Sequence, residues 1–181
     1  MNRVIQDVFE VVTRRLPEAN VEFLMIGGHA VTALGHPRAT YDLDLLIPRS
    51  SASKWRELLM ALNYRSFAEN SNFHQYEAGG DLPLPPVDLM LVDDDVYGAL
   101  EETKTDTPPI PTPGVVAMVA LKLHAIKQPG RGDAHQDWSD ILALVKAHGL
   151  TLDDAEFSAT VLKHGGEKAI QRIKAAITGG T

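Results

Sequence analysis

Cysteine is absent from the 181-residue chain, which removes disulfides, zinc–thiolate centres and cysteine nucleophiles from consideration. A reducing compartment is compatible with that absence. No apolar run approaches the ~20 residues needed to cross a bilayer. The segment MNRVIQDVFEVVTRRLPEAN carries charges throughout and lacks the apolar stretch of a signal peptide. The expectation is a soluble, cytoplasmic protein with no membrane partner. Excess positive charge is missing as well. Lys and Arg number 17 against 24 Asp and Glu, for a formal net charge of −7. A broad electrostatic footprint for nucleic acid is therefore lacking, although a local basic patch remains compatible with the total. Hydrophobic residues at 44% and charged residues at 23% suffice for one domain with a proper core and a small helical appendage.

Val4, Ile5, Val8, Val11, Val12 and Leu16 fall at helical spacing, which predicts a helix over residues 3–16 closed by Pro17. Residues 21–26 read as a buried strand, 29–34 as a short helix ending at Gly35, and 41–47 as a second strand stopped by Pro48. Ser51 or Ser53 caps a helix over 54–62, with Trp55, Leu58, Leu59 and Leu62 on one face. Two short strands, 64–67 and 73–76, flank the turn Glu69-Asn70-Ser71-Asn72 and form an antiparallel hairpin. A strand over 87–92 follows, then a helix through Tyr97 and Leu100 capped by Asp93-Asp94-Asp95. Residues 107–113 are punctuated by proline and link this mixed part to an all-helical remainder. Its helices are expected over 115–127, 134–148, 152–163 and 167–177, the third capped by Thr151 with Asp154.

The chemistry concentrates in FLMIGGHAVTALGHPRATYDLDLLIP, residues 23–48. Successive side chains of a strand face opposite ways, so Asp42 and Asp44 share a face, with carboxylates roughly 6–7 Å apart. Two acids among apolar neighbours are costly to bury without a cation between them. An exposed edge strand with a solvated polar face accounts for the alternation equally well. Asp88 is a lone carboxylate in PVDLMLV, read either as a charge at a strand start or as a third member of the group. If the two strands are neighbours, three carboxylates converge and suit Mg²⁺ or Mn²⁺. Gly27-Gly28 follows a strand and precedes a helix, where backbone can approach a phosphate.

In these residues, GGHAV followed by HPRATYDLDLLI, the chain resembles the nucleotidyltransferase superfamily with the DNA polymerase β-like fold, and within it the small bacterial branch of AbiEii-type toxins. That pattern is a strand, Gly-Gly, a short helix, and then an Arg-x-Thr/Ser-x-Asp-φ-Asp strand, matched by Gly27, Gly28, Arg38, Thr40, Asp42 and Asp44. Asp88 matches the third carboxylate. LKLHAIKQPGRGDAHQDWSDILALV is similar to the segment carrying a helical lysine, an arginine loop and an acidic helix, matched by Lys122, Arg131, Asp137 and Asp140, with Gln136 departing from the usual lysine.

The resemblance implies an α/β (α+β) fold, a nucleotidyltransferase-like mixed sheet flanked by helices and followed by a C-terminal helical bundle. The resemblance covers roughly residues 21–145; with the proline stretch as the divide, the expectation is a catalytic core over residues 1–110 and a helical region, 111–181, packed on it. The implied activity moves a nucleoside monophosphate from an NTP to an RNA end, a protein or a small molecule, with Mg²⁺ or Mn²⁺ as cofactor. A cognate toxin or antitoxin is an implied partner. Asp42, Asp44 and Asp88 are the implied catalytic and metal-binding residues. Gly27, Gly28, Arg38, Thr40, Lys122 and Asp137 are the implied nucleotide-binding ones. Three roles have an ordinary reading from the residues alone. Arg38 serves equally to position the acids, Thr40 is also common strand filler, and Lys122 is also a lysine snorkelling from an apolar helix face. His29 and His36 flank the short helix and read as structural histidines near turns rather than ligands, and His124, His135, His148 and His164 show no ligand spacing with one another. Lys163, His164, Lys168, Arg172 and Lys174 form a basic group that is either solvated or a docking face for RNA or a partner. The alternatives for the whole chain are an inactive binding or regulatory module on the same fold, a glycosyltransferase using Asp-x-Asp, and an α/β protein with surface acids only.

Overall fold

The structure is a computed structural model that describes residues 14–80, 84–105, 110–128 and 134–178. Residues 3–13 of the first expected helix, the Arg131 loop and residues 107–109 of the proline stretch lie outside the described residues. The chain divides into two units, Met1–Ala30 with Arg38–Pro113, and Val31–Pro37 with Gly114–Thr181.

The first unit is built on strands β1 (Leu24–Met25), β2 (Leu43–Pro48), β3 (Tyr64–Glu69), β4 (Phe73–Ala78) and β5 (Val87–Val92). They form one mixed sheet in the order β1-β2-β5-β4-β3. β2 and β5 run parallel, and every other pairing is antiparallel. Leu43, Leu45 and Ile47 alternate with polar or opposite-facing residues and are buried, as are Val87, Leu89 and Leu91 beside them. These β-branched and leucine side chains make the core face of the sheet. Helix α1 (Gly27–Ala33) follows β1, α2 (Ala52–Ala61) follows β2, and α3 (Asp94–Glu102) follows β5.

Local chemistry explains where the elements differ from expectation. β1 is two residues rather than six because pairing reaches only Leu24↔Leu46 and Met25↔Leu45. α1 starts at Gly27, two residues before the expected His29, so the glycine pair opens the helix instead of preceding it. Ser51 stands at the N-cap of α2, but its hydroxyl donates to Glu22 Oε2 at 3.1 Å and leaves the helix backbone uncapped. The buried Trp55 of α2 donates to Glu22 O at 3.0 Å and meets Phe23 edge-on, with centroids 5.9 Å apart. Asp93 likewise occupies the α3 cap position while its carboxylate faces Arg49 at 3.3 Å. In the hairpin turn, Asn70 Oδ1 accepts from the N–H groups of both Asn72 and Phe73 at 2.9 Å, an Asx-turn that sets the β3–β4 connection.

The second unit contains α4 (Val115–Ile126), α5 (Ala134–Ala147), α6 (Ala155–Gly165) and α7 (Glu167–Thr178). Met118, Val119 and Leu123 of α4, Ile141, Leu144 and Val145 of α5, Phe157 and Val161 of α6, and Ile173 of α7 are buried. α6 begins three residues later than expected. Its cap is Asp154 alone, whose carboxylate accepts from Phe157 N at 2.9 Å, in place of the Thr151–Asp154 pair. The basic group is divided between two helices: Lys163 and His164 end α6, whereas Lys168, Arg172 and Lys174 belong to α7. Arg172 stacks over the Trp138 ring at 4.4 Å, so one of its cations serves packing. Among the described residues, no helix is long and apolar enough to cross a membrane.

Candidate active site

Asp44 is the second residue of β2 and Asp88 the second residue of β5, and the parallel register sets them opposite one another. Neighbouring strands lie about 5 Å apart, so two carboxylates in one row converge without help from a loop. β2 is an inner strand, paired with β1 on one side and β5 on the other. The exposed-edge explanation of its acids therefore does not describe it. Asp42 lies just before β2, in a bend, and is exposed. The strand expected from residue 41 starts at Leu43, because the parallel ladder begins with Leu43↔Val87. Thr40, Asp42 and Asp44 thus do not alternate along one strand. The charge of Asp42 still reaches Asp88, whose carboxyl is pushed above its ordinary range. Burial is the main cause, Asp42 adds to it, and a hydrogen bond from Gln75 opposes it.

The glycine pair is a contact surface. Gly27 has φ +64°, and a Cβ there would lie 1.9 Å from Asp44 Oδ2. Gly28 is buried, and a Cβ there would lie 2.6 Å from the Thr40 Cβ and 2.8 Å from the Arg38 Cζ. No larger residue fits at either position without moving those side chains. Ile26 N donates to Asp44 O at 3.0 Å and fixes the backbone of the two segments together. Arg38 also donates to Ala39 O at 3.1 Å. The structure therefore gathers Gly27, Gly28, Arg38, Thr40, Asp44 and Asp88 in the first unit, with Asp42 at their margin.

Two neighbours were not singled out by sequence reasoning. Gln75 on β4 is the register partner of Asp88, and its Nε2 donates to Asp88 Oδ2 at 3.0 Å. The alternation Phe73, Gln75, Glu77 was the available signal, but it required knowing that β4 lies beside β5. His29, set aside as a turn histidine, sits on α1 close to Arg38 and Asp42. Its pKa is lowered, mainly by burial and then by Arg38, with Asp42 opposing. Its buried Nε2 has no hydrogen-bond partner among the described residues.

In the second unit, Lys122 is 5% exposed and does not snorkel. Its Nζ lies 3.1 Å from Asp137 Oδ1 and 2.6 Å from Asp140 Oδ2. Those carboxylates are 3% and 0% exposed. Gln136, at the position where the resembled pattern carries lysine, donates to Asp140 Oδ1 at 3.0 Å. A buried ammonium between two carboxylates from the next helix ties α4 to α5.

Among the described residues, no group of three or more histidine, aspartate or glutamate side chains is placed to hold a metal ion. The carboxylates of the first unit form an open set of hard oxygen donors on adjacent strands. That set fits an ion such as Mg²⁺, which takes one or two protein carboxylates and fills its remaining positions with water and substrate phosphates.

No protein-family model matches the chain, and no curated protein matches its sequence. Solved structures do match its fold. The chain is similar to the antibiotic-resistance factor ANT(2'')-Ia, at 16% identity and a TM-score of 0.60, over 97% of this chain and 94% of that one. It is similar to the lincosamide antibiotic adenylyltransferase LnuA, at 12% identity and a TM-score of 0.54, over 80% of this chain and 98% of that one. A third match is the Megavirus polyadenylate synthase, at 15% identity and a TM-score of 0.58, where 82% of this chain covers 32% of the synthase. At these identities the likeness shows the fold alone: the mixed sheet with its flanking helices is shared with those three structures.

Proposed function

We propose that the chain is a metal-dependent nucleotidyltransferase that moves a nucleoside monophosphate from an NTP to an acceptor hydroxyl. The observation that carries the proposal is the contact of Gly27 with the Asp44 carboxylate. It makes a side-chain-free stretch of backbone continuous with the acids, and a triphosphate and a divalent ion need both features side by side. The likeness in fold to an adenylyltransferase and a polyadenylate synthase favours this reading over an Asp-x-Asp glycosyltransferase.

Asp42, Asp44 and Asp88 would hold Mg²⁺ or Mn²⁺, which when bound screens the triphosphate charge and polarises the phosphorus under attack. Gly27 and Gly28 would offer backbone N–H groups to the phosphates, and their missing side chains let Asp44, Thr40 and Arg38 lie directly against that turn. Asp88 would complete the metal set and help orient or deprotonate the acceptor hydroxyl. The acceptor oxygen forms a bond to the α-phosphorus as the bond to pyrophosphate breaks. Lys122 and Asp137 are assigned to nucleotide binding by resemblance. Their ion pair makes Lys122 a lysine held at one position rather than a mobile one.

Labelling from each α-³²P-NTP, with Mg²⁺ or Mn²⁺, against total RNA, protein and small-molecule pools tests the proposal and identifies the acceptor. The expected result is incorporation into one pool, abolished by Asp42→Ala/Asp44→Ala. No incorporation together with no metal-dependent NTP binding would refute it. The finer assignment to the AbiEii-type branch, and to a toxin–antitoxin pair, rests on GGHAV and RATYDLD alone. It predicts growth arrest on expression that the same double substitution relieves, and growth unimpaired by an active enzyme would remove it.

A further inference from the structure

We infer that Gln75 is a positioning residue for the metal-facing carboxylate: its amide holds one oxygen of Asp88 so that the other is presented to the ion. The inference rests on the nucleotidyltransferase reading, and it concerns a residue on a strand that carries none of the expected site residues.

Gln75 and Asp88 are register partners on the antiparallel strands β4 and β5, and Asp88 is in turn the partner of Asp44 on β2. The three side chains therefore occupy one cross-strand row. His74 and Tyr76, the strand neighbours of Gln75, point to the opposite face, where Tyr76 is fully buried. That burial fixes β4 and leaves Gln75 no choice of face. Its Nε2 donates to Asp88 Oδ2 at 3.0 Å, and both residues are half-buried.

The type of donor matters. A carboxylate that ligates an ion needs one oxygen fixed by an outer partner if the other is to point at the metal with little loss of rotamer freedom. Lysine or arginine at position 75 would supply that bond, but their positive charge would compete with the ion for Asp88. A carboxylate at position 75 would lack a donor and add repulsion. A neutral amide orients Asp88 and leaves its full negative charge for the metal. Glutamine also reaches across the strand pair, where serine falls short.

The test measures Mn²⁺ binding to the metal-free full chain by electron paramagnetic resonance, alongside turnover in the labelling assay. Gln75→Met keeps the length and loses the donor. It is expected to weaken Mn²⁺ binding about 10- to 100-fold, as loss of an outer-shell partner does elsewhere. Turnover lost at low metal should return at high metal, while thermal unfolding of the metal-free protein stays close to that of the parent. Gln75→His restores an N–H donor of similar reach and is expected to recover most of the affinity, which a purely structural role would not produce. Parent-like Mn²⁺ affinity in Gln75→Met, with affinity lost in Asp88→Asn, would overturn the inference and leave the nucleotidyltransferase reading standing. Parent-like affinity in Asp88→Asn would overturn the metal assignment and this inference with it. If Gln75→Met does not fold, Gln75→His decides: a folded His variant that binds Mn²⁺ as weakly as Asp88→Asn refutes the role of the donor.

Discussion

Gly27→Ala is the most informative single substitution, because geometry alone sets its outcome. Two costs combine. The backbone at Gly27 has φ +64°, a region that costs an L residue about 1–2 kcal/mol. The new methyl would also lie 1.9 Å from Asp44 Oδ2, 2.5 Å from Cγ and 2.7 Å from Cβ. Turning the carboxylate tip does not relieve a clash that extends to the Asp44 Cβ, so the side chain or the β2 backbone must shift. Overpacking of that kind costs about 1–3 kcal/mol. Together the two costs come to roughly 2–5 kcal/mol, within the 5–15 kcal/mol by which domains are stable. The variant should fold at 25 °C and melt roughly 5–15 °C lower. Displacing Asp44 by even an ångström should reduce turnover at least ~100-fold. A double-mutant cycle with Asp44→Ala separates the costs. Truncating Asp44 removes the carboxylate part of the clash and leaves the φ strain, so melting curves should give a coupling of roughly 1–2 kcal/mol. Additive effects, or a Gly27→Ala protein with parent-like turnover, would refute the contact between the glycine turn and the acid.

Lys122→Met removes the cation between two buried carboxylates and should cost about 3–5 kcal/mol, read as a melting temperature roughly 10 °C lower; a change under ~1 kcal/mol would mean that the ion pair contributes little. If Lys122 also contacts nucleotide, turnover of the folded variant falls far more than the melting shift explains. Asp88 gives a pH dependence. Its folded pKa is raised, so its contribution to stability is present below about 3.8, the unfolded value, and is lost as pH rises through the folded value. At neutral pH the ionised Asp88 is therefore a cost to the metal-free protein. Asp88→Asn should melt slightly higher than the parent at pH 7, with the gap closing towards pH 4. Mg²⁺ should raise the melting temperature of the parent far more than that of the variant. A variant that melts lower at pH 7 would refute the burial argument.

Elements with a strong local signal were legible in the chain. The strand over residues 87–92 matches β5 residue for residue, because an apolar run between Pro86 and Asp93 has no competing structure. The hairpin was legible from Asn70, whose side chain supplies its own turn. Boundaries set by tertiary partners were not. β1 is short because only two of its residues find a partner. Ser51 and Asp93 occupy cap positions with the expected chemistry, yet Glu22 and Arg49 claim their side chains. Cap propensity acts over three residues, and a partner some 30 or 44 positions away is invisible to it.

The acids and the glycine pair were identifiable from sequence because their type and spacing carry the chemistry: hard donors for a cation, and backbone without side chains for phosphate. What the sequence alone could not decide is which acids face each other. Asp42 and Asp44 are two residues apart in the chain, but the row belongs to Asp44, Asp88 and Gln75, because strand order and register choose neighbours across a sheet while sequence spacing orders them only along a strand. Lys122 shows the same division. An apolar helix face suggested a lysine reaching for water, and only the packing of α5 against α4 supplied the two carboxylates that keep it buried.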